Sequence, residues 1–313
     1  MPSLLFLAPA DLGETVLATG ALAHELSQGD ALSIVCTPDA APLFRAAPGL
    51  TSLRTLGAKA GLMAGWGVWS ALARQRFDTI IDARGGFPGG ALSAPRRLLL
   101  RPAPVLRHRT EDWAAVLGAD RPLAPQLWLD DAARAAAAAI APEAGLLVLA
   151  PGGAARSKRW SEERFAAVAR RLATGPLANA RVVVLGAAER DASITRAIGS
   201  SLDADGVSAF DLGADVDLLA AAALMERATL AIGNDNALTH IAAAMGAPTL
   251  TLFGPTDERV RAPYGPRVRT LRGRGFEDIT SLPALDAGAA MEDVSIDAVE
   301  AAALDLLHAG GLR

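Results

Sequence analysis

The sequence contains a single cysteine, Cys36, which therefore has no partner for an internal disulfide. Such scarcity fits a chain that works in a reducing compartment. Cys36 lies within the apolar run ALSIVCTP. We therefore expect it to be a small buried hydrophobic residue and not a reactive thiol.

The chain also lacks long apolar runs and an excess of positive charge. No apolar run reaches about 18 residues, so no segment is expected to span a membrane. The first residues, MPSLLFLAPADLGE, lack the basic start and long apolar core of a secretory signal. The net charge of −4 argues against nucleic acid as a partner. Together these absences predict a cytoplasmic location.

The segment nearest in character to a membrane element is GLMAGWGVWSALA, residues 61–73. It is short, it is interrupted by glycine, and Arg74 and Arg76 follow it. We interpret it as a helix packed on a sheet, with contact at a membrane surface as the alternative.

Short β-branched or leucine-rich runs alternate with segments of helical periodicity, which predicts an α/β protein with parallel, helix-covered sheets.

The pattern restarts near residue 145, after an alanine-rich segment, 121–145, that we interpret as the linker region. We predict two domains, residues 1–143 and 144–313. The second domain is expected to finish with an amphipathic helix that ends at Gly310. Whether that helix packs back on the first domain stays open. The predicted strands are Leu4–Ala8, Ser33–Cys36, Thr79–Asp82, Leu146–Ala150, Val182–Leu185, Leu230–Ile232 and Thr249–Leu252.

One turn at the end of a predicted strand is rich in polar residues. In open α/β sheets, ligands bind beyond the carboxyl ends of the strands. The sequence GNDNALTHI follows the strand that ends at Ile232. Asp235 is the expected N-cap of the next helix, and Asn236 and His240 share a face near its positive end. Such a turn could hold a diphosphate. The alternative is a capped helix with an incidental histidine.

A second turn, PGGAARSKRWSEE, follows the strand that ends at Ala150. Its glycines allow the backbone to approach a ligand closely, and Ser161 is the expected cap of the following helix. Between them lie three cations with no acid among them: Arg156, Lys158 and Arg159. The glycine–lysine–hydroxyl spacing is not that of a Walker loop. The turn favours phosphate binding over a merely solvated basic loop.

A third turn, PADLGE, leads into the first predicted helix and places Glu14 at its tip. A carboxylate there either complements the helix dipole or acts as a general base. Further along, residues 84–109 contain six arginines, one histidine and no acid. A solvated face and a docking surface for an anionic substrate both fit that segment. The acid pairs at 203–205 and 215–217 are predicted to form a turn and a helix cap, and no metal site.

Together these turns resemble glycosyltransferase family 9, the ADP-heptose:lipopolysaccharide heptosyltransferases. The block GNDNALTHIAAAMGAPTLTLFGPT is similar to the family's Gly-x-Asp-x-Gly-x-x-His turn, Ala-rich helix and Phe-Gly-Pro-Thr. LAPGGAARSKRWSEERF looks like its Pro-Gly…Lys-x-Trp-Pro…Phe block, and LGETVLATGAL like its N-terminal block. IIDARGG and HRTEDWAAVLG echo weaker patterns. The resemblance covers nearly the whole chain.

The resemblance implies a GT-B fold, in which two Rossmann-like domains face each other across a cleft. It also implies inversion at the anomeric carbon, no essential metal and no cofactor. The C-terminal domain would hold a nucleotide sugar, ADP-linked in this family. The N-terminal domain would hold a lipopolysaccharide core or a similar anionic glycan or glycolipid. Peripheral contact with the cytoplasmic face of the inner membrane is compatible with such an acceptor.

Carried over by position, the resemblance matches Glu14 to the catalytic aspartate and Lys158 to a catalytic, phosphate-contacting lysine. Glu189 would contact the ribose, and Val216 would lie by the adenine. The full donor set is Gly153, Ala154, Lys158, Glu189, Val216, Asp235, Asn236, Ala237 and His240. On the acceptor side we expect Asp11, Arg84, Arg107, His108 and Arg109.

The chain departs from the family pattern at several positions. Glu14 stands in place of an aspartate and Ala237 in place of a usual glycine, and Gly153 and Ala154 replace hydroxyl residues. Pro88 and Gly89 fall where many heptosyltransferases carry a lysine. Two rival functions fit the same architecture: a sugar-nucleotide epimerase, which acts on the donor alone, and a non-catalytic nucleotide-sugar binder.

Overall fold

The computed structural model describes residues 2–59, 62–85, 92–100, 106–141, 145–178, 180–186, 189–213, 216–280 and 288–310. The chain forms two compact units, Met1–Asp130 (unit 1) and Asp131–Arg313 (unit 2). Each unit has its own parallel sheet, which confirms the predicted α/β class. Within the described ranges, no helix is long and apolar enough to cross a membrane.

Unit 1 is built on a five-stranded sheet with the order β3-β2-β1-β4-β5. All of its strand pairs are parallel. Its strands are β1 (Ser3–Leu7), β2 (Ala31–Cys36), β3 (Leu50–Thr55), β4 (Thr79–Asp82) and β5 (Arg96–Leu99). Its helices are α1 (Leu12–Glu25), α2 (Leu62–Leu72) and α3 (Arg109–Leu117), with a 3-10 helix at Pro38–Phe44.

Unit 2 is built on a six-stranded parallel sheet with the order β11-β10-β9-β6-β7-β8. Its strands are β6 (Leu146–Ala150), β7 (Arg181–Leu185), β8 (Ala209–Gly213), β9 (Leu230–Asn234), β10 (Thr249–Leu252) and β11 (Val268–Leu271). Its helices are α4 (Asp131–Ile140), α5 (Glu162–Thr174), α6 (Ala192–Ala204), α7 (Leu218–Glu226), α8 (Ala237–Ala244), α9 (Glu258–Arg261), α10 (Phe276–Thr280) and α11 (Ile296–Ala309). Short 3-10 helices lie at Arg156–Lys158, Glu189–Asp191 and Gly288–Met291.

Both sheets follow one doubly wound pattern. In each unit the first strand lies in the interior of the sheet, with the second strand on one side and the fourth on the other. The direction of winding therefore reverses between β1 and β4 in unit 1, and between β6 and β9 in unit 2. Ligands of open α/β sheets bind at the carboxyl ends of such a strand pair. The topology thus marks one candidate site in each unit.

The sequence predicts the seven interior strands of the two sheets, and the structure confirms all of them. It misses the four edge strands, β3, β5, β8 and β11. Those strands are half exposed and carry charged residues, as in RRLL and VRTL. Because one side of an edge strand meets solvent, it lacks the continuous apolar run that reveals a buried parallel strand.

The division between the units lies after Asp130, thirteen residues before the predicted boundary. Helix α4 packs on α7 and buries Ala133 and Ala137, so it belongs to unit 2. The preceding residues pack on α1, where a Cβ on Gly20 would lie 2.4 Å from the carbonyl oxygen of Leu123. The segment read as a linker is therefore shared between the two units.

The terminal helix α11 begins after the cap Ser295 and ends at Gly310, as predicted. Within unit 2 it packs against α5 and the strands β9, β10 and β11.

Cys36 is fully buried at the end of β2. Burial raises the pKa of its thiol to about 12. The thiol is therefore inert at neutral pH, which confirms the prediction of a small buried hydrophobic residue.

Candidate active site

In unit 2, two loops meet at the carboxyl ends of β6 and β9. The buried side chain of Asn234, the last residue of β9, connects them. Its Nδ2 donates to the carbonyl oxygen of Pro151 at 2.6 Å, and its Oδ1 accepts from the backbone N–H of Trp160 at 3.1 Å. The strand end thereby fixes the start and the end of the basic loop. The sequence offered no signal for this role beyond the position of Asn234.

The N-cap of α8 is Asn236, and the prediction that Asp235 holds this position is wrong. The Oδ1 atom of Asn236 accepts from the N–H groups of Leu238 and Thr239. Its Nδ2 donates to the carbonyl oxygens of Ala150 at 2.8 Å and Gly152 at 2.9 Å. An amide has two donor hydrogens, so these contacts use its donor capacity. Asn236 therefore holds the two loops together, and its amide does not face a ligand as the sequence suggested.

Lys158 and Asp235 form an ion pair across 77 positions of sequence. Lys158 Nζ lies 2.9 Å from Asp235 Oδ2, and the hydroxyl of Thr256 donates to the same oxygen at 2.7 Å. The Lys158 side chain is 25% exposed and that of Asp235 11%. The local sequence, with no acid among its cations, suggested that Lys158 has no acidic neighbour, but Lys158 is paired. It is the more exposed member of the pair. Thr256 is a functional candidate that the sequence reasoning missed.

The other two cations of the loop have different surroundings. Arg159 donates from Nε and Nη2 to the carbonyl oxygen of Gly153 at 2.9 and 2.8 Å, and it lies 3.6 Å from the buried Asp191. Arg156 is exposed. The space beside Gly152 is taken by Asp191, whose Oδ2 would lie 2.4 Å from an added Cβ. The glycine is thus required by the protein's own packing.

The remaining predicted donor residues lie around the same edge of the sheet. Glu189 is exposed in the short helix after β7, and Val216 is half-buried just before α7. Ala237 opens α8, and His240 is buried one turn later. Ser161 caps α5, as predicted.

In unit 1, the loop after β1 presents a capped helix. Asp11 is the N-cap of α1 and accepts from the N–H of Glu14 at 2.9 Å, so the helix begins earlier than predicted. The Oε2 atom of Glu14 accepts from Arg109 Nε at 2.9 Å. The two side chains are 14% and 18% exposed. The local sequence around Glu14 gives no sign of this partner, which lies 95 positions further along the chain.

Arg109 is shared between two acids. Its Nη1 lies 3.2 Å from Asp112 Oδ2, while Arg107 Nε lies 3.7 Å from the other oxygen of Asp112. The resulting chain of charges runs Glu14, Arg109, Asp112, Arg107. Asp112 is buried and was missed from the sequence, although it stands three residues from Arg109 on one helix.

Most of the basic segment 84–109 serves the fold. Arg84 Nη2 donates to the carbonyl oxygens of residues 56 and 57 at 3.0 Å, and burial lowers the pKa of this arginine. Arg96 pairs with Glu25 and Arg97 with Asp82. His108 caps α3 and forms a capping box with Glu111. The positions of Arg101, Pro88 and Gly89 lie outside the described residues. Among the described basic residues predicted to bind an acceptor, Arg107 is the most exposed, at 40% of its side chain.

Three of the four acids considered for metal binding have structural partners, and the fourth, Asp215, lies outside the described residues. Asp203 accepts from the N–H of Ala209, Asp205 pairs with Arg170, and Asp217 caps α7, as its position predicts. No group of three or more histidine, cysteine or acidic side chains is arranged to hold a metal among the residues the structure describes.

The family of the chain follows from a match to the family model described as "Glycosyltransferase family 9 (heptosyltransferase)". This match covers residues 102–282, more than half of the sequence. The chain belongs to glycosyltransferase family 9. The protein is therefore a glycosyltransferase, as the resemblance implied. The matched range includes the basic loop, the Lys158–Asp235 pair and all of α3.

Solved structures show that the family 9 fold extends over the whole chain. ADP-heptose lps heptosyltransferase II of E. coli is 18% identical, with a TM-score of 0.78 over 99% of this chain and 100% of that one. A family 9 glycosyl transferase from Veillonella parvula is 18% identical, with a TM-score of 0.79 over 98% and 97%. The E. coli heptosyltransferase WaaC, solved with ADP, is 17% identical, with a TM-score of 0.72 over 97% and 99%. No curated protein matches the sequence.

Proposed function

We propose that this family 9 enzyme transfers a heptose or a related sugar from an ADP-linked donor to a lipopolysaccharide core or a similar anionic glycan or glycolipid. The observation that carries the proposal is the Lys158–Asp235 pair beside the N-terminus of α8 at the β6/β9 reversal. Solved relatives are described as ADP-heptose enzymes or contain ADP, which supports the choice of donor.

The diphosphate of the donor would bind at the start of α8. Two of the first N–H groups of this helix are capped by Asn236, and the N–H of Ala237 adds to the positive end of the helix. Lys158 would exchange part of its contact with Asp235 for a phosphate oxygen. As the glycosidic bond breaks, negative charge builds on the diphosphate, and a preorganised cation stabilises it.

Asp235 and Thr256 would act as positioning residues for Lys158. A lysine side chain has four rotatable bonds, and its ammonium group is fixed here by an acid that is itself fixed by a hydroxyl. Glu189 would contact the ribose and Val216 the adenine, because both follow strands on the same edge of the sheet.

Glu14 would be the general base in unit 1. Its carboxylate would take the proton of the attacking acceptor hydroxyl, which forms the new bond on the face opposite the leaving diphosphate and so inverts the anomeric carbon. Arg109 would orient this carboxylate, since its Nε bonds one oxygen, Oε2. Arg107 would meet anionic groups of the acceptor.

The test is a panel of ADP-, UDP- and GDP-sugars, incubated with and without acceptor. Sugar transfer from the ADP-linked donor that depends on acceptor supports the proposal. Altered donor sugar without acceptor would identify an epimerase. Donor binding with neither product would identify a binder.

A further inference from the structure

Helix α2 is an unusual surface helix, because its sequence LMAGWGVWSAL has no charged residue. Surface helices of globular proteins normally carry polar and charged residues on the outer face. The inner side packs normally. Leu72 is buried in a cluster with Leu7 and Phe77, and Val68 and Trp69 pack against it while partly buried.

The outer side of α2 exposes two large apolar residues. Met63 is 90% exposed and Trp66 is 59% exposed. The Trp66 ring lies on the Trp69 ring, with 4.7 Å between the centroids, so the two indoles form one apolar surface. Exposed apolar clusters of this kind mark interaction sites more often than isolated residues do.

The sequence on both sides of α2 is mainly basic. The sequence from residue 40 to residue 77 contains five cations and no acid, in a protein with a net charge of −4. Lys59 is exposed just before the helix, and Arg74 and Arg76 are exposed just after it. A tryptophan and a methionine bordered by cations match an anionic lipid surface, because indoles favour the headgroup region and basic residues favour anionic lipid.

The location of α2 fits the proposed function. The helix leaves the carboxyl end of β3 and returns to the amino end of β4, so its first turns lie toward the carboxyl edge of the unit 1 sheet. Glu14, at the start of α1, lies at this same edge. A surface that meets lipid here would bring the proposed base close to an acceptor anchored in a membrane.

We propose that Met63 and Trp66, with Lys59, Arg74 and Arg76, form the surface by which this protein docks on an anionic lipid bilayer. The benefit to transfer rests on the proposed function, but the docking itself requires no catalysis. A second copy of the chain is a poorer occupant, because two such surfaces would bring their cations together.

The experiment measures co-sedimentation of the full-length protein with phosphatidylcholine vesicles that contain or lack phosphatidylglycerol. We expect binding to the anionic vesicles. The variant Met63→Ser/Trp66→Ser should lose on the order of tenfold or more in lipid partitioning, since each exposed apolar group adds to insertion. Arg74→Ser/Arg76→Ser should lose on the order of tenfold or more, because each basic residue near an anionic surface adds to the attraction.

The matched control is Phe210→Ser, which removes another exposed aromatic residue, on an edge strand of unit 2, and should bind lipid normally. Thermal denaturation checks that each variant folds. Trp66→Phe should remove most of the lipid-induced fluorescence shift, whereas a shift that persists would place the contact elsewhere.

Equal partitioning of the wild type and Met63→Ser/Trp66→Ser would overturn the proposal. So would concentration-dependent dimerisation without lipid that this variant abolishes, because the surface would then join copies of the chain. Transfer to a water-soluble acceptor should be unchanged in the same variant. If the wild type itself showed no sugar transfer, that result would count against the proposed function. The docking result would still stand.

Discussion

The carboxyl edges of the two sheets each carry an ion pair with a separation of 2.9 Å, and the proposed roles of the two pairs are opposite. In unit 1 the acid, Glu14, is the proposed reactive group and Arg109 is its partner. In unit 2 the cation, Lys158, is the proposed reactive group and Asp235 is its partner. One fold pattern thus positions an acid in unit 1 and a cation in unit 2, each within an ion pair.

The two pairs differ in how tightly each reactive group is held. Lys158 is more than twice as exposed as Asp235, so an incoming anion can reach it. Glu14 is slightly less exposed than Arg109, and Arg109 is divided between Glu14 and Asp112. We therefore propose that Lys158 exchanges partners when the donor binds, whereas the Glu14 carboxylate stays in place. The predictions below test that difference.

The largest effect should follow Glu14→Gln. The amide retains the length of the side chain and can still accept from Arg109, but it cannot take a proton. If Glu14 is the base, turnover should fall on the order of 10²–10⁴ while donor affinity is unchanged. Donor binding by calorimetry and transfer rate are measured on the same samples.

Glu25→Gln is the matched control, because Glu25 lies on the same helix and also pairs with an arginine. Its turnover should be normal. Glu14→Asp, which restores the usual acid of the family, should keep partial activity. Full transfer by Glu14→Gln would remove the base role and leave a carboxylate that complements the helix dipole.

A smaller effect should follow Arg109→Gln. If Arg109 positions Glu14, kcat should fall on the order of tenfold to a hundredfold with the KM for acceptor unchanged, because a misplaced base loses alignment. Arg107→Gln is the control in the same network and should instead raise the KM for acceptor. A raised KM with normal kcat in Arg109→Gln would make Arg109 an acceptor-binding residue.

Lys158→Ala should weaken ADP binding about tenfold or more and leave adenosine binding unchanged, since a hydrogen bond to a charged group contributes about 1.5–3 kcal/mol. Arg156→Ala removes the same charge from the same loop and should have little effect, because an exposed charge interacts weakly through water. Isothermal calorimetry compares the affinities. Equal losses of ADP affinity in the two variants would mean that the positive charge of the loop attracts ADP in general. Lys158 would then make no direct contact with phosphate.

The sequence points to the two proposed reactive groups, but it does not point to the residues that pair with them. Glu14 and Lys158 stand in local patterns, a strand followed by a helix tip and a glycine-containing turn. Arg109 and Asp235 meet them across 95 and 77 positions, so their pairing depends on strand order. Strand order depends on how whole helices pack on the sheet, and it cannot be predicted from a short stretch of sequence.

The same limit explains the error at Asn236. A polar residue before a helix can cap it, and GNDNA contains three such residues in succession, Asn234, Asp235 and Asn236. The choice depends on the carbonyl oxygens of Ala150 and Gly152, which only the neighbouring loop supplies. The failure to predict the edge strands has a different cause. These strands contact few buried neighbours, so their sequences lack the apolar run by which a strand is recognised.

The smallest expected effect is that of metal removal on the wild type. We predict that transfer continues in excess EDTA, because Lys158 and the first turn of α8 supply positive charge where the diphosphate would leave. The rate is measured before and after chelation, and a metal-dependent glycosyltransferase in the same buffer serves as the control. Loss of transfer that Mg²⁺ or Mn²⁺ restores would contradict the prediction.

The comparison between the pairs becomes sharpest when metal addition is combined with Lys158→Ala. If the lysine acts by neutralising the diphosphate, a divalent cation carried by the donor can replace part of its charge. Mg²⁺ should then raise transfer by Lys158→Ala and leave the wild type unchanged. The same addition should do nothing for Glu14→Gln, because a cation on the donor cannot accept the proton of the attacking hydroxyl. Rescue of both variants would mean that the two pairs do not have separate roles.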